Sequence, residues 1–273
     1  MKKVLITGGS NGFGKAIAFE LLKKDYDVII VGSSAKNGNS FIEEATVKGY
    51  GKRVEFVQKN LSLISENKTL VEDIKNKYEL LEGIVFCAEK HNHEYIETVE
   101  GIEASFALSY LSRFLLSYGL KSILEKGDNP FIINICGSGM KGEPNWNDLQ
   151  HKESFNPFKV MTHGSRLNDL LGVYFADSDE IKKIRYIMYN PWAVRTPGMK
   201  DFFQNKLMDF IYKIIAKTPE QAAKIVVEVI ETAKDNNIFA YKERNALDLQ
   251  HSSYNKINAE RLYQITTNME LHQ

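Results

Sequence analysis

The chain is poor in cysteine. Only Cys87 and Cys136 occur among 273 residues, too few for a disulfide framework. They end neighbouring predicted strands and read as buried thiols rather than a redox pair. Net charge is also missing: 35 basic residues balance 35 acidic ones. Nothing in that balance points to nucleic acid or an anionic membrane as a partner. No apolar run approaches the roughly 18 residues of a membrane span. The opening MKKVLITGG lacks the long apolar segment and cleavage site of a signal peptide, so the expectation is a cytoplasmic protein. There is no internal repeat, low-complexity stretch or linker. Two further absences bear on chemistry. The end of the second predicted strand, VGSS at 31–34, carries no acidic residue, and no Tyr-x-x-x-Lys occurs anywhere.

What is present is ordinary for a folded globular chain, with 43% hydrophobic and 26% charged residues. Apolar, β-branched runs alternate with helical periodicity. Strands are predicted at Lys3–Thr7, Asp27–Gly32, Arg53–Gln58, Gly83–Ala88, Phe131–Cys136, Arg185–Asn190 and Ile238–Tyr241. Helices are predicted at Gly12–Lys24, Ile102–Glu125, Phe158–Ala176 and from Pro219 to about Lys234. The β-α-β order implies an α/β fold: a doubly wound, mostly parallel sheet of about seven strands with helices on both faces. Two segments look like loops with content of their own, Gly142–Pro157 and Pro197–Thr218. The second holds an amphipathic run that reads either as a lid over a substrate or as a helix packed on the body.

The stretch TGGSNGFG, residues 7–14, follows the first strand and opens the first helix. Gly8, Gly12 and Gly14 let the backbone approach a pyrophosphate, and the helix N-terminus offers free N–H groups to it. This TGxxxGxG pattern resembles that of the short-chain dehydrogenase/reductase family. Asn60-Leu61-Ser62, IINICGSG at 132–139 and NPWAVRTPGM at 190–199 are similar to further family segments. TPEQAAK, IFAYKE and NAERLYQIT resemble the C-terminal part of the retinol-dehydrogenase-like branch. The resemblance implies a single Rossmann-type domain that binds a nicotinamide dinucleotide. The positions it assigns to the cofactor are Thr7, Gly8, Ser10, Asn11, Gly12, Phe13, Gly14, Ser33, Ser34, Asn60, Leu61, Ala88, Arg166, Pro191 and Thr196. The missing acid at 31–34, with Ser33, Ser34 and Lys36 nearby, favours NADP(H) over NAD(H). Relatives pair through their two long helices, so a homodimer or homotetramer through about 102–125 and 158–176 is expected.

The family's chemistry depends on a tyrosine, a lysine four residues later, a serine and an asparagine. On this alignment those positions hold Thr162, Arg166, Gly137 (with Ser138 one residue on) and Ser109. Glu89 stands where the family has a glycine near the cofactor. Threonine is too weakly acidic to replace a tuned tyrosine, and arginine stays charged and cannot shuttle a proton. Substitutes are few. Ser138 faces the crevice or simply makes a turn. His163 has a useful pKa but lies about 100° around the helix from Thr162 and reads as a surface or packing residue. Tyr110 and Tyr189 read as core, and His91-Asn-His93 lacks a third metal ligand. Two functional readings stay open. One is a divergent oxidoreductase acting on a small molecule. The other is a non-catalytic dinucleotide-sensing or scaffolding relative, or a non-redox enzyme on the same fold.

Overall fold

The structure, a computed structural model, describes residues 2–140, 142–177, 183–196, 212 and 214–269. Seven parallel strands form where the apolar runs predict them: β1 Lys2–Thr7, β2 Tyr26–Gly32, β3 Val54–Gln58, β4 Gly83–Phe86, β5 Phe131–Ile135, β6 Arg185–Asn190 and β7 Ile238–Lys242. Every residue of β4, β5 and β6 is buried, as strands covered on both faces must be. An eighth strand, β8 Asn245–Ala246, folds back antiparallel on β7 through a turn in which Glu243 adopts φ 56°. Two residues leave no periodic signal, so the sequence reading stopped at seven. The sheet runs β3-β2-β1-β4-β5-β6-β7-β8.

Helices cover both faces. α1 Gly12–Lys23 and α2 Ala35–Val47 follow β1 and β2, and α3 Ile64–Lys77 follows β3. The helix expected over 102–125 is broken. It comprises α4 Ala104–Phe106, a π turn Ala107–Leu111, α5 Ser112–Gly119 and α6 Lys121–Leu124. Apolar spacing does not register one inserted residue, which is all a π turn requires. α7 spans Pro157–Asp177 and α8 spans Pro219–Thr232, the latter opened by a capping box of Thr218 and Gln221. α9 Lys256–Asn268 closes the described chain.

Two apolar cores result. One joins α1 and α8 to the sheet through Ile17, Leu21, Val226 and Ile230. The other lies on the opposite face and joins α3, α5, α7 and α9. In the second core Tyr263 of α9 stacks on Tyr174 of α7, with ring centroids 4.1 Å apart, and also meets Tyr118 and Phe114. From His163 to Ala176, α7 leaves only Gly164 and Tyr174 partly exposed. Along this stretch α9 packs on α7 beside the sheet and the π turn.

Candidate functional site

The strand order reverses at β1, so the crevice between the ends of β1 and β4 is where a doubly wound sheet binds its ligand. The glycine turn sits there. Gly8 has φ 67°, and a Cβ on it would lie 2.8 Å from the Ala88 nitrogen. A Cβ on Gly14 would lie 2.4 Å from the Gly8 carbonyl oxygen. Neither position admits a side chain, so the turn must bring bare backbone to the helix N-terminus. Asn11 caps α1, its Oδ1 accepting from the Gly12 N–H at 2.7 Å. Ser10 is partly exposed beside Gly32, while Phe13 is buried. Thr7 is buried, and its hydroxyl accepts from the Cys87 and Ala88 N–H groups, both at 3.2 Å. Thr7 thus ties the two strands that frame the crevice.

Around the adenosine end, Ser33 is exposed and Ser34 caps α2, accepting from the Asn37 N–H. Asn60 turns its Oδ1 onto Ser62, and Leu61 is buried. Glu89 is not a free carboxylate. It lies 3.8 Å from Arg113, a buried arginine on α5 that also donates to the carbonyls of Ala88 and Ile135. The sequence reading passed over Arg113. Its signal was a single cation inside the apolar run FALSYLSRFLL. Both cysteines are free, and burial raises their thiols to about 12 for Cys87 and about 11 for Cys136.

The four positions of the proton-handling set converge on α7. The π turn frees the Ser109 carbonyl, which accepts from Asn168 Nδ2 at 2.8 Å. The Ser109 hydroxyl itself donates to the Ser105 carbonyl. Thr162 Oγ1 donates to the carbonyls of Phe158 and Lys159, so its hydroxyl is bound into its own helix. At Gly137 a Cβ would lie 2.5 Å from the Met140 sulfur and 2.7 Å from the Ser165 hydroxyl. Ser165 fills that space and accepts from the Gly137 N–H. Ser138 is buried, its hydroxyl bonded at 3.0 Å to that of Tyr254, so it does not open freely to the crevice. Arg166 is buried and ion-paired with Asp169, which accepts in turn from the Gly139 N–H. Its Nε and Nη1 have no hydrogen-bond partner. Burial pulls the guanidinium's proton affinity down, while Cys136, Tyr254 and Glu143 pull it up.

The segment 142–157 is fastened to the body. The Asn145 N–H donates to His163 Nε2 at 3.1 Å, and His151 Nε2 meets His163 Nδ1 at 3.0 Å. An N–H can only donate, so His163 Nε2 is a bare lone pair and Nδ1 carries the proton. Burial, then the neighbouring His151, drops the His163 pKa to about 4. His163 is therefore a packing residue and a neutral latch. Leu149 is buried, and the Arg261 guanidinium of α9 lies over the Trp146 ring.

After β6, Pro191 and Thr196 are partly exposed. Between them Trp192 has φ 63°, rare for a bulky residue, and its ring lies under the Lys242 ammonium at 3.7 Å. Of the other expected segment, 197–211 and 213 lie outside the described residues. Its base is held by backbone bonds between Lys217 and residues 193 and 195. Tyr110 and Tyr189 are buried core residues. Among the described residues no group of three or more His, Cys, Asp or Glu side chains is placed to hold a metal, and no helix is long and apolar enough to cross a membrane.

Residues 2–147 match the family model for short chain dehydrogenases. The chain belongs to the short chain dehydrogenase family. Its similarity reaches the retinol-dehydrogenase-like branch. A polyprenol dehydrogenase of Homo sapiens is 23% identical over 268 residues, covering 92% of this chain and 80% of that protein. Retinol dehydrogenase 14 of Homo sapiens is 24% identical over 244 residues, covering 82% and 72%. Among solved structures, a 3-ketoacyl-(acyl-carrier-protein) reductase from Brucella melitensis, complexed with NADH, superposes with a TM-score of 0.67. The match is at 18% identity over 88% of this chain and 96% of that one, and it shows the shared short chain dehydrogenase fold.

Proposed function

We propose that the chain is a nicotinamide-dinucleotide-dependent oxidoreductase acting on a small molecule, with a proton path that does not use residue 162. The observation that carries this reading is the cradle at Gly8–Gly14. Backbone atoms fill the space of a Cβ at Gly8 and at Gly14, and a turn of bare backbone at a helix N-terminus suits a pyrophosphate. The residues present fit such a ligand. The turn and the α1 N-terminus would hold the pyrophosphate. Arg166, with two unpartnered nitrogens, would hold the nicotinamide ribose. Ser33, Ser34 and Lys36 meet no carboxylate from the end of β2, which supports NADP(H) over NAD(H). When bound, the dinucleotide supplies or takes a hydride. The protein's part is to orient it, to hold positive charge at Arg166 and to keep water out beneath the segment 142–157.

The second reading, a dinucleotide-sensing relative without chemistry, draws support from Thr162 and Gly137. One hydroxyl is bound into its helix and the other position has no room for a side chain. Nothing in the charge balance favours a nucleic-acid or membrane partner. The filled faces of α7 support a chain that works alone rather than as a homodimer or homotetramer through the long helices.

Titration of the purified protein with NADPH and NADH, followed by nucleotide fluorescence or calorimetry, tests the proposal. Micromolar binding of NADPH, weaker for NADH, is expected. No binding of either at millimolar nucleotide refutes it. The double variant Thr162→Tyr with Arg166→Lys separates the two readings. If reduction of simple aldehydes appears only in that variant, the native chain is not a carbonyl reductase.

A further inference from the structure

Two hydroxyls from distant parts of the sequence meet under the turn that follows β5, and the charge of Arg166 reaches one of them, that of Tyr254. Tyr254 comes from the short 3-10 turn before α9, Ser138 from the turn itself and Arg166 from α7. Tyr254 Oη and Ser138 Oγ are 3.0 Å apart, and both residues are more than nine-tenths buried. Asn190 Nδ2, at the end of β6, donates to the Ser138 carbonyl at 3.1 Å and fixes the serine between two strand ends. A Cβ on Gly139 would come within 3.4 Å of Tyr254 Oη, and Gly142 lies against the Arg166 stem. Gly139 therefore lies over the phenol, and Gly142 over the aliphatic stem of Arg166.

Reducing a carbonyl requires an acid that keeps its proton at neutral pH and a charge that stabilises its conjugate base. A phenol supplies the first and a guanidinium the second. Burial holds the Tyr254 proton on more firmly than usual, while the Ser138 hydrogen bond and Arg166 work towards release. Tyr186 also has a serine and an arginine near it, Ser117 and Arg113, but it lies inside the sheet rather than beside the turn after β5. Tyr110 bonds to Thr266 deep between α9 and the π turn, and Tyr186 bonds to Asn134 within the sheet.

We propose that Tyr254, hydrogen-bonded to Ser138 beneath the turn after β5, is the proton donor that Thr162 is not. This rests on the redox reading above. In the reduction, hydride adds to the carbonyl carbon, and the π pair moves onto oxygen and takes the phenolic proton. Water then returns a proton to the phenolate. The sum is NADPH, one proton and a carbonyl giving NADP+ and an alcohol.

The test does not need a known substrate. Protein labelled with 13C at the tyrosine ζ carbon is titrated with NADP+, with NAD+ and with ADP-ribose, which lacks the nicotinamide ring. The Tyr254 resonance is assigned by its loss in Tyr254→Phe. Should that variant fail to fold, Ser138→Ala assigns it by moving it. The expected result is a shift of the Tyr254 signal with a dinucleotide that ADP-ribose does not reproduce. A dinucleotide that binds and leaves the signal in place, or moves it no more than ADP-ribose does, overturns the role of Tyr254 and leaves the redox reading standing. Failure of both dinucleotides to bind sinks the redox reading and this inference with it.

Discussion

A Cβ on Gly14 would collide with the Gly8 carbonyl, and a Cβ on Gly137 would collide with the Met140 sulfur and the Ser165 hydroxyl. The distances are similar, but the obstacles differ. Around Gly8 and Gly14 the obstacle is backbone, which cannot turn aside. Around Gly137 it is the ends of side chains, which can. The phosphate half of the crevice is thus fixed by main-chain geometry. The proton half is fixed by side chains. Site chemistry can change on an unchanged frame, and a wall of side-chain ends leaves more room for that than a wall of backbone.

Four perturbations probe that contrast. Gly8→Ala should do the most damage. It combines a left-handed backbone with a clash against Ala88, for a loss of about 4 kcal/mol and of dinucleotide binding. Denaturant titration beside nucleotide titration measures both, and a stable, binding-competent variant would erase the contrast. Acid comes next. The folded His163 pKa of about 4 lies below its ordinary 6.5, so the unfolded chain takes up the proton first. The stability in question is intact above about pH 6.5 and falls by about 3 kcal/mol as pH drops towards 4. Urea unfolding at the two pH values should show this step, and His163→Asn should lack it. Tyr263→Ala removes the ring stacked between α9 and α7, at about 2 kcal/mol. Calorimetric melting reads that loss, and size-exclusion chromatography should show self-association as the aromatic face opens. Gly137→Ser should cost least, about 1 kcal/mol, because Met140 and Ser165 can move. A cost equal to that of Gly8→Ala would mean the proton half is as rigid as the phosphate half.

The strands were readable because each is a short apolar, β-branched run between turn signals, and their ends fall within two residues of the expected places. The Gly8–Gly14 turn was readable because local sequence and local geometry coincide there. The π turn at Ala107–Leu111 was hidden because it alters hydrogen bonding without altering composition. The latch of His163 and His151 was hidden because the partners lie 12 residues apart across a loop with no periodicity. Tyr254 was hidden for a stronger reason. It meets Ser138 across 116 residues, and it belongs to no motif.

The position of α9 bears on how the protein is made. Tyr110, Phe114, Tyr118 and Tyr174 find their cover in Tyr263 and Thr266, residues synthesised after every strand of the sheet. A nascent chain therefore carries an open aromatic face until α9 has been made. A chain stalled before α9 displays that face to chaperones and proteases, so one late helix decides whether four aromatic side chains are hidden or exposed.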